Sequence, residues 1–362
     1  MRIAQVAPLY ESVPPERYGG TERVVSYLTE ALVARGHDVT LFASGDSTTS
    51  GRLVAGCPRG LRLEGKVTDP VALHLGMLLQ VYERAQEFDA IHCHTDYLGL
   101  PLTRNAVTPT ALTLHGRLDI PEAQPIYRAC PDVALVSVSD AQRMPLEGAS
   151  WAATVHHGLP EQLYRYSPTG GRYLVFLGRI SPEKRPDAAI RVAQEAGVPL
   201  RIAAKVDPAD RDYFEQVVRP LLRHRLVEFL GEVGEDAKQA LLQEALALLF
   251  PVDWPEPFGL VLIEALACGT PVIARCRGSV PEIITDGQTG FLCETEEEMV
   301  AAVARVMSLS RAECRADFER RFTAARMADD YLGVYAGARS PRRLGPKAGR
   351  PDAIRAMSRS TG

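Results

Sequence analysis

The sequence predicts an α/β protein built from two doubly wound units, each a mostly parallel sheet with helices on both faces. Three observations carry this. At 362 residues the chain is longer than a single ordinary core supports, so two domains are expected. Its first part alternates short apolar runs of strand length with amphipathic helical stretches. A second series of the same kind starts after residue 170.

In order along the chain, "RIAQVAP" reads as the first strand. "TERVVSYLTEALVARGH" reads as a helix with apolar residues at 24, 25, 28, 32 and 33, ended by Gly36. "DVTLFAS", "DAIHCH", "TALTLHG" and "VALVSVS" are further strands. After a connector rich in Gly, Pro and Tyr, "VHHGLPEQLYRYSPTGG", comes the strand "YLVFLGR". The helix "RPDAAIRVAQEAG", the strand "PLRIAAK" and the helix "DYFEQVVRPLLRH" follow. Then come the strand "VEFLGE", a helix over 236–246, the strand "ALALLFP", a helix opened by "PEPFGLVLIEALACG" and the strand "PVIAR". The last strong helical pattern runs as one element over about 311–337. The remainder, 338–362, is basic and poor in apolar residues, which predicts a disordered tail without a function of its own.

Composition excludes several classes. The chain is 46% hydrophobic and 24% charged with a formal net charge of −4, which argues against a dedicated nucleic-acid binder. No run is long and apolar enough to span a bilayer, and the N-terminus has the length of a strand rather than of a leader. Seven scattered cysteines without a CxxC pair suit reduced thiols, so the expected compartment is cytoplasmic. No short-period repeat suggests a solenoid.

Ligands of open parallel sheets bind beyond the carboxyl ends of strands, so polar and glycine residues at those points are the candidates. Gly19 and Gly20 lie between the first strand and first helix, with Thr21 as candidate N-cap. Such glycines allow close backbone approach to an anion, or else form a plain tight turn. Their spacing is not the GxGxxG of a dinucleotide site. His115 follows the strand in "TLHGR" and can donate a hydrogen bond to a substrate hydroxyl or orient one, though a lone His is more often structural. His92 and His94 share one side of an extended strand, but no third metal ligand sits near them in sequence.

In "FLGRISPEKRP", Arg179 and Lys184 follow a strand directly, which suits a diphosphate: one planar fork and one point charge. The alternative is a solvated charge cluster. Pro257 and Gly259 bracket a helix start, so amides near 258–260 are free to meet phosphate or sugar oxygens. Glu256 lies just outside that helix, placed to accept from sugar hydroxyls. Glu264 lies inside an otherwise apolar run, where a carboxylate must be paired. Vicinal ribose hydroxyls would satisfy it, as would a structural salt bridge, for example to Arg179. "DRD" at 210–212 has the form of a metal-chelating pair but reads as acidic charge at a helix N-terminus, and no metal is inferred.

These motifs resemble the retaining glycosyltransferases of family four, over about residues 1–337. "GRISPEKRP", "EFLGEV", "PEPFGLVLIEALACGTPVIA" and "GSVPEIITDGQTGFL" run in family order and spacing, and "YGGTERVVSYLTEALVARGHDVTLFA" is the best match in the first half. The resemblance implies the GT-B architecture: two facing Rossmann-like doubly wound domains with a cleft between them. It divides the chain into an N-terminal acceptor-side domain over 1–158, a C-terminal donor-side domain over 159–318 and a helix over 319–337 crossing back to the first. It implies that Arg179 and Lys184 clamp the donor diphosphate, that Glu264 binds the ribose and that Glu256 contacts the donor sugar. Phe258, Gly259 and Leu260 would offer backbone amides, Gly19 and Gly20 would close over the donor, and His115 would hold the transferred sugar. Arg275, Gly278, Pro281 and Glu282 are not carried as site residues, Glu282 being placed near the hinge. In the linker, His157 stands where the family has Asn, a change expected to affect only a local turn.

The reaction so implied moves a sugar, most simply a hexose, from a nucleotide diphosphate donor to an acceptor hydroxyl with retention. It would proceed on the front face, with the leaving phosphate helping to deprotonate the acceptor. His115, Glu256, Arg179 and Lys184 are the catalytic candidates, with no metal and no cofactor. Cations and a helix N-terminus would carry the leaving-group charge, and domain closure would exclude water. No carboxylate pair like that of a glycosidase is evident. The rivals are a sugar-nucleotide epimerase of the same architecture, which needs no acceptor, and a non-catalytic sugar-nucleotide-binding protein. An NAD-dependent oxidoreductase lacks its glycine fingerprint. Among UDP, GDP and ADP sugars UDP is the first choice. Saccharide, lipid-linked sugar and small-metabolite acceptors stay open, as does peripheral membrane contact.

Overall fold

The computed structural model describes residues 1–16, 19–63, 67–103, 106–131 and 133–338. The basic stretch from residue 339 onward, expected to be disordered, lies outside them. In the first half, strands β1 (Arg2–Val6), β2 (Asp38–Ser44), β3 (Arg52–Cys57), β4 (Ala90–Cys93), β5 (Thr110–Thr113), β6 (Ala134–Ser137) and β7 (Trp151–Thr154) form one sheet in the order β3-β2-β1-β4-β5-β6-β7. All its pairings are parallel, with Ile3 opposite both Val39 and Ala90. In the second half, β8 (Leu174–Ile180), β9 (Leu200–Val206), β10 (Val227–Gly231), β11 (Ala247–Phe250), β12 (Val272–Arg275) and β13 (Gly290–Cys293) form the order β10-β9-β8-β11-β12-β13, again parallel. Two Rossmann-like domains of GT-B type result.

The strands show why they fold so. Along β1 and β2 every residue after the first is buried, the continuous burial expected when helices cover both faces of a parallel sheet. Helix α1 (Gly20–Ala34) covers one face of the first sheet through Val24, Val25, Leu28 and Leu32, and Gly36 follows it in the left-handed region (φ 81°). Helix α2 (Pro70–Glu83) starts on an Asp69 cap that accepts from the Ala72 amide (3.1 Å). In the second half, α3 (Pro186–Ala196), α4 (Glu235–Gln243), α5 (Leu260–Cys268) and α6 (Glu296–Arg305) pack the sheet. Residues 262–268 of α5 are all buried, which is why that segment reads as an apolar run broken by one glutamate.

Two expected elements come out differently. The helix expected over 212–224 is irregular: it widens to π-type turns over Phe214–Val218. Pro220 lies one turn further on and has no amide to bond the Gln216 carbonyl, so the ladder shifts locally. The single helix expected over 311–337 is two, α7 (Arg311–Arg321) and α8 (Ala324–Gly337). Between them Thr323 caps α8 by accepting from the Arg326 amide (3.2 Å) and pairs with Leu159 as a β-bridge. That bridge joins the two chain segments that cross between the halves, and α8 then packs on α1 and β5 of the first half.

Gly158 sits hard against this crossing, where a β-carbon would overlap the Thr323 carbonyl. Gly158→Ala is therefore expected to lower stability by about 1–3 kcal/mol. A urea midpoint equal to that of the parent protein would mean the crossing is looser than described.

Candidate functional site

Strand order reverses between β1 and β4 in the first sheet and between β8 and β11 in the second. Such reversals open crevices beyond the strand ends. The two crevices face each other across a cleft of about 640 Å³, which runs on into a hollow of about 320 Å³. Gly19, Gly20, Leu177, Gly178 and Leu260 line both. The structure brings together the residues expected to bind the donor: His115, Arg179, Lys184, Glu256, Phe258 and Gly259 line the larger part, and Glu264 the smaller, whereas His92 lines neither.

The turn before α5 is shaped by its carbonyls. Ser139 of the first half donates to the Pro257 carbonyl (2.7 Å), and Ser279 donates to that of Phe258 (2.9 Å). Gly259, in the left-handed region (φ 83°), is the N-cap, with no side chain capping the helix. The first amides of α5 are thus left without helical acceptors at a cleft wall, a setting that favours an anion.

Both cations already have carboxylate partners. Lys184 Nζ donates to Glu256 Oε2, which also accepts from Trp254 Nε1 (2.8 Å). The same ammonium lies over the rings of Phe250 (5.7 Å) and Trp254 (5.5 Å). Glu256, only 8% exposed, lines the cleft as a largely buried group whose Oε2 is already paired. Arg179 faces Asp210 (3.3 Å) and Glu183 (3.9 Å). The reading of "DRD" as acidic charge at a helix start holds, and Asp210 is in addition the counter-ion of Arg179. Burial raises the Asp210 carboxyl above its ordinary range despite the neighbouring guanidinium.

Glu264 has a salt bridge, but its partner is Lys238 of α4 (2.8 Å), not Arg179. Lys238 also pairs with Glu235, and Glu235 accepts from Arg23 of α1 (2.6 Å) and from the Tyr164 hydroxyl (3.2 Å). This chain of charges ties the inner end of the cleft to the first half.

From that half, Gly20 lies over the Leu260 side chain, a β-carbon on it standing 3.7 Å from Cδ1. A β-carbon on Gly19 would come within 2.8 Å of Pro15. Gly19, not Thr21, is the N-cap of α1, and no side chain caps that helix. Glu22 in its first turn is 4% exposed, and burial pushes its carboxyl up to about 7 although backbone amides, including that of Glu11, bond to it.

His115 is neutral, since burial lowers it to about 3. Its Nε2 is 2.9 Å from His94 Nδ1, and its ring stacks on that of His157 (5.2 Å, 17°). His157 in turn meets Phe258 edge-on (4.7 Å). The His157 substitution thus reaches the cleft floor instead of affecting only a turn. Asp96 lines the same wall in the left-handed region (φ 47°), its carboxyl raised to about 6 by the surrounding protein.

Sequence reasoning missed His94 as a neighbour of His115, Asp210, Trp254 and Lys238. Only proximity across different elements reveals them, though the scarcity of lysine was a usable signal. Of the four residues set aside, Glu282 accepts from the Asp140 and Ala141 amides (both 2.8 Å) and pairs with His156 (3.1 Å), bridging the halves. Gly278 packs on the Glu256 backbone, and Arg275 pairs with Asp253 (2.9 Å). Among the described residues no group of three or more His, Cys, Asp or Glu is placed to hold a metal ion, and no helix is long and apolar enough to cross a membrane.

Comparison with known proteins gives the class. Residues 166–323 match the model of glycosyl transferases group 1, and residues 18–177 match that of Glycosyltransferase Family 4. The chain belongs to this family and is a glycosyltransferase. It is 25% identical to the glycogen synthase of Mycobacterium tuberculosis, covering 94% of this chain and 97% of that protein. It is 27% identical to the phosphatidyl-myo-inositol mannosyltransferase of Mycobacterium leprae, covering 92% and 96%. The structure of Anabaena HepE in complex with UDP and glucose superposes with a TM-score of 0.72 at 18% identity, over 93% of this chain and 100% of that one.

Proposed function

We propose that the protein transfers a hexose from a nucleoside diphosphate sugar to an acceptor hydroxyl with retention of anomeric configuration and without a metal ion. The observation that carries this is the facing of two walls. Arg179, Lys184 and the open start of α5 stand on one side of the cleft, and His115 with Gly19 and Gly20 on the other. On this reading 1–158 is the acceptor side and 159–318 the donor side. The diphosphate replaces Asp210 and Glu256 as partner of the two cations, and the ribose competes with Lys238 for Glu264. Charge growing on the leaving phosphate then meets groups already fixed in place, the role a metal would otherwise fill. The leaving phosphate takes the acceptor proton on the same face. UDP is the favoured nucleotide, a choice supported by the UDP bound in HepE.

The test is calorimetric titration with UDP, GDP, ADP and NAD, repeated on Glu264→Ala. One nucleoside diphosphate should bind, and the variant should bind it about tenfold or more weakly. Failure of all four, or equal binding by the variant, would remove Glu264 from the site. With the donor identified, the anomeric configuration of the product is read by NMR. Reversible loss of turnover on chelation would refute the metal-free step, and conversion of the donor without acceptor would point to the epimerase.

A further inference from the structure

Apolar side chains stand in the open along one face of α2, and that face leads out of the cleft. Val71, Leu75 and Leu79 follow one another at four-residue spacing, so they form one row along the helix. They are 44%, 41% and 52% exposed. Their buried neighbour Leu78 packs on the segment 96–103, where a β-carbon on Gly99 would stand 3.6 Å from its Cδ2. That segment is apolar at its surface too: Tyr97 and Pro101 are exposed and Leu98 is half-buried. Over 70–82 and 97–103 there is no Asp, Glu, Lys or Arg. An ordinary surface helix turns charged and polar residues to water. A contiguous uncharged apolar patch instead marks a surface that is covered in use.

The position of the patch identifies its occupant. Val71, Tyr97 and Leu98 line the cleft, so the patch begins inside it. The row on α2 then runs from Val71 past the cleft lining to Leu79, about 12 Å at the helical rise per residue. What covers the row is continuous with what enters the cleft from the first half, and that is the acceptor. An anionic bilayer surface would need basic residues on the row, which has none.

We infer that the acceptor is an amphiphile. Its hydroxyl-bearing head lies in the cleft, and an uncharged apolar chain or aglycone lies along Val71, Leu75 and Leu79 beside Tyr97. The inference rests on the reading of 1–158 as the acceptor side of a sugar-transferring cleft. The reaction is unchanged by it: the head hydroxyl gains the sugar and loses its proton, and the nucleoside diphosphate leaves. The apolar part supplies affinity, since each methylene half covered by such a face tightens binding about twofold.

The test titrates the full chain with methyl, hexyl and decyl β-glucosides by calorimetry, each below its micelle concentration, with and without UDP. Decyl glucoside should bind about a hundredfold or more tighter than methyl glucoside, with hexyl glucoside between them. Leu75→Gln/Leu79→Gln should lose most of that difference and keep the urea midpoint of the parent protein, since both side chains face water. Leu79→Gln alone should lose a smaller part, and it decides the comparison should the double variant fold poorly. Equal binding of the methyl and decyl glucosides overturns the inference. So does a double variant that binds decyl glucoside as the parent does, because the chain then lies elsewhere. A parent dimer that the double variant splits on sedimentation gives the face to a second copy. Parent protein that floats with phosphatidylcholine vesicles, when the variant does not, gives it to a bilayer, and either result overturns the inference. Failure of UDP, GDP and ADP to bind would count against the sugar-nucleotide reading itself. Equal binding of the glucosides by a protein that binds UDP removes only the amphiphilic acceptor.

Discussion

Lys184→Ala is expected to slow sugar transfer by about a hundred- to a thousandfold, the loss typical when a preorganised charge at a leaving group is removed. The ammonium is the nearest cation to Glu256 and is fixed over two aromatic rings, so it costs little reorganisation as charge develops. The variant also strands a buried carboxylate with one remaining donor, Trp254, so stability should fall by about 1–3 kcal/mol. The two effects can be separated. Adding Glu256→Gln removes the stranded charge and should restore stability but not rate. Transfer within about tenfold of the parent in Lys184→Ala would exclude this lysine from leaving-group stabilisation.

Glu22 gives the second large effect, on stability against pH. Its carboxyl titrates at about 7 in the folded protein against an ordinary value of 4.5. Between those values the folded state holds a proton at Glu22 that the unfolded state has lost, so this group's contribution to stability falls as pH rises through the window. The difference corresponds to about 3 kcal/mol, fully present below the unfolded value and gone above the folded one. The cause is burial, only partly offset by backbone amides and by Arg62, with Glu11 opposing. Glu22→Gln should therefore be more stable than the parent above about pH 7 and should flatten the dependence below it. Denaturant midpoints across the range decide this. A Glu22→Gln variant whose stability runs parallel to that of the parent protein from pH 4.5 to 7 would show that Glu22 stays ionised.

The second half of the site was legible because its chemistry is local. Arg179 lies at the end of β8 and Lys184 in the loop after it, and Glu256, Phe258 and Gly259 lie in the turn that leads into α5 at Leu260, so spacing alone places them together. The charge partners were not legible, since Asp210, Lys238 and Arg23 reach the cleft from separate helices. The same is true of His94 and His157, which meet His115 only once β4, β5 and the linker are packed. For the fold, the central strands announced themselves as apolar runs. The edge strands β3 and β7 carry half-exposed residues, and β13 opens on Gly290 and has only Phe291 and Leu292 as large apolar residues, so neither periodicity nor apolar length marked them. The break between α7 and α8 leaves no trace in the pattern because Phe322 and Thr323 are both buried. It is made by a bridge to Leu159, far away in sequence.

The last helix also bears on synthesis. Tyr331 bonds Thr113 (2.9 Å) and Tyr335 bonds His92 (2.8 Å) and Gln5, all sealed inside the first half. A nascent chain usually completes its N-terminal domain while the rest is still being made. Here that domain emerges from the ribosome with a row of interior polar groups lacking their partners and a sheet face lacking its cover. Those partners arrive only after the whole second half has been translated. The first half to be made must wait, partly folded, and is the last to be completed.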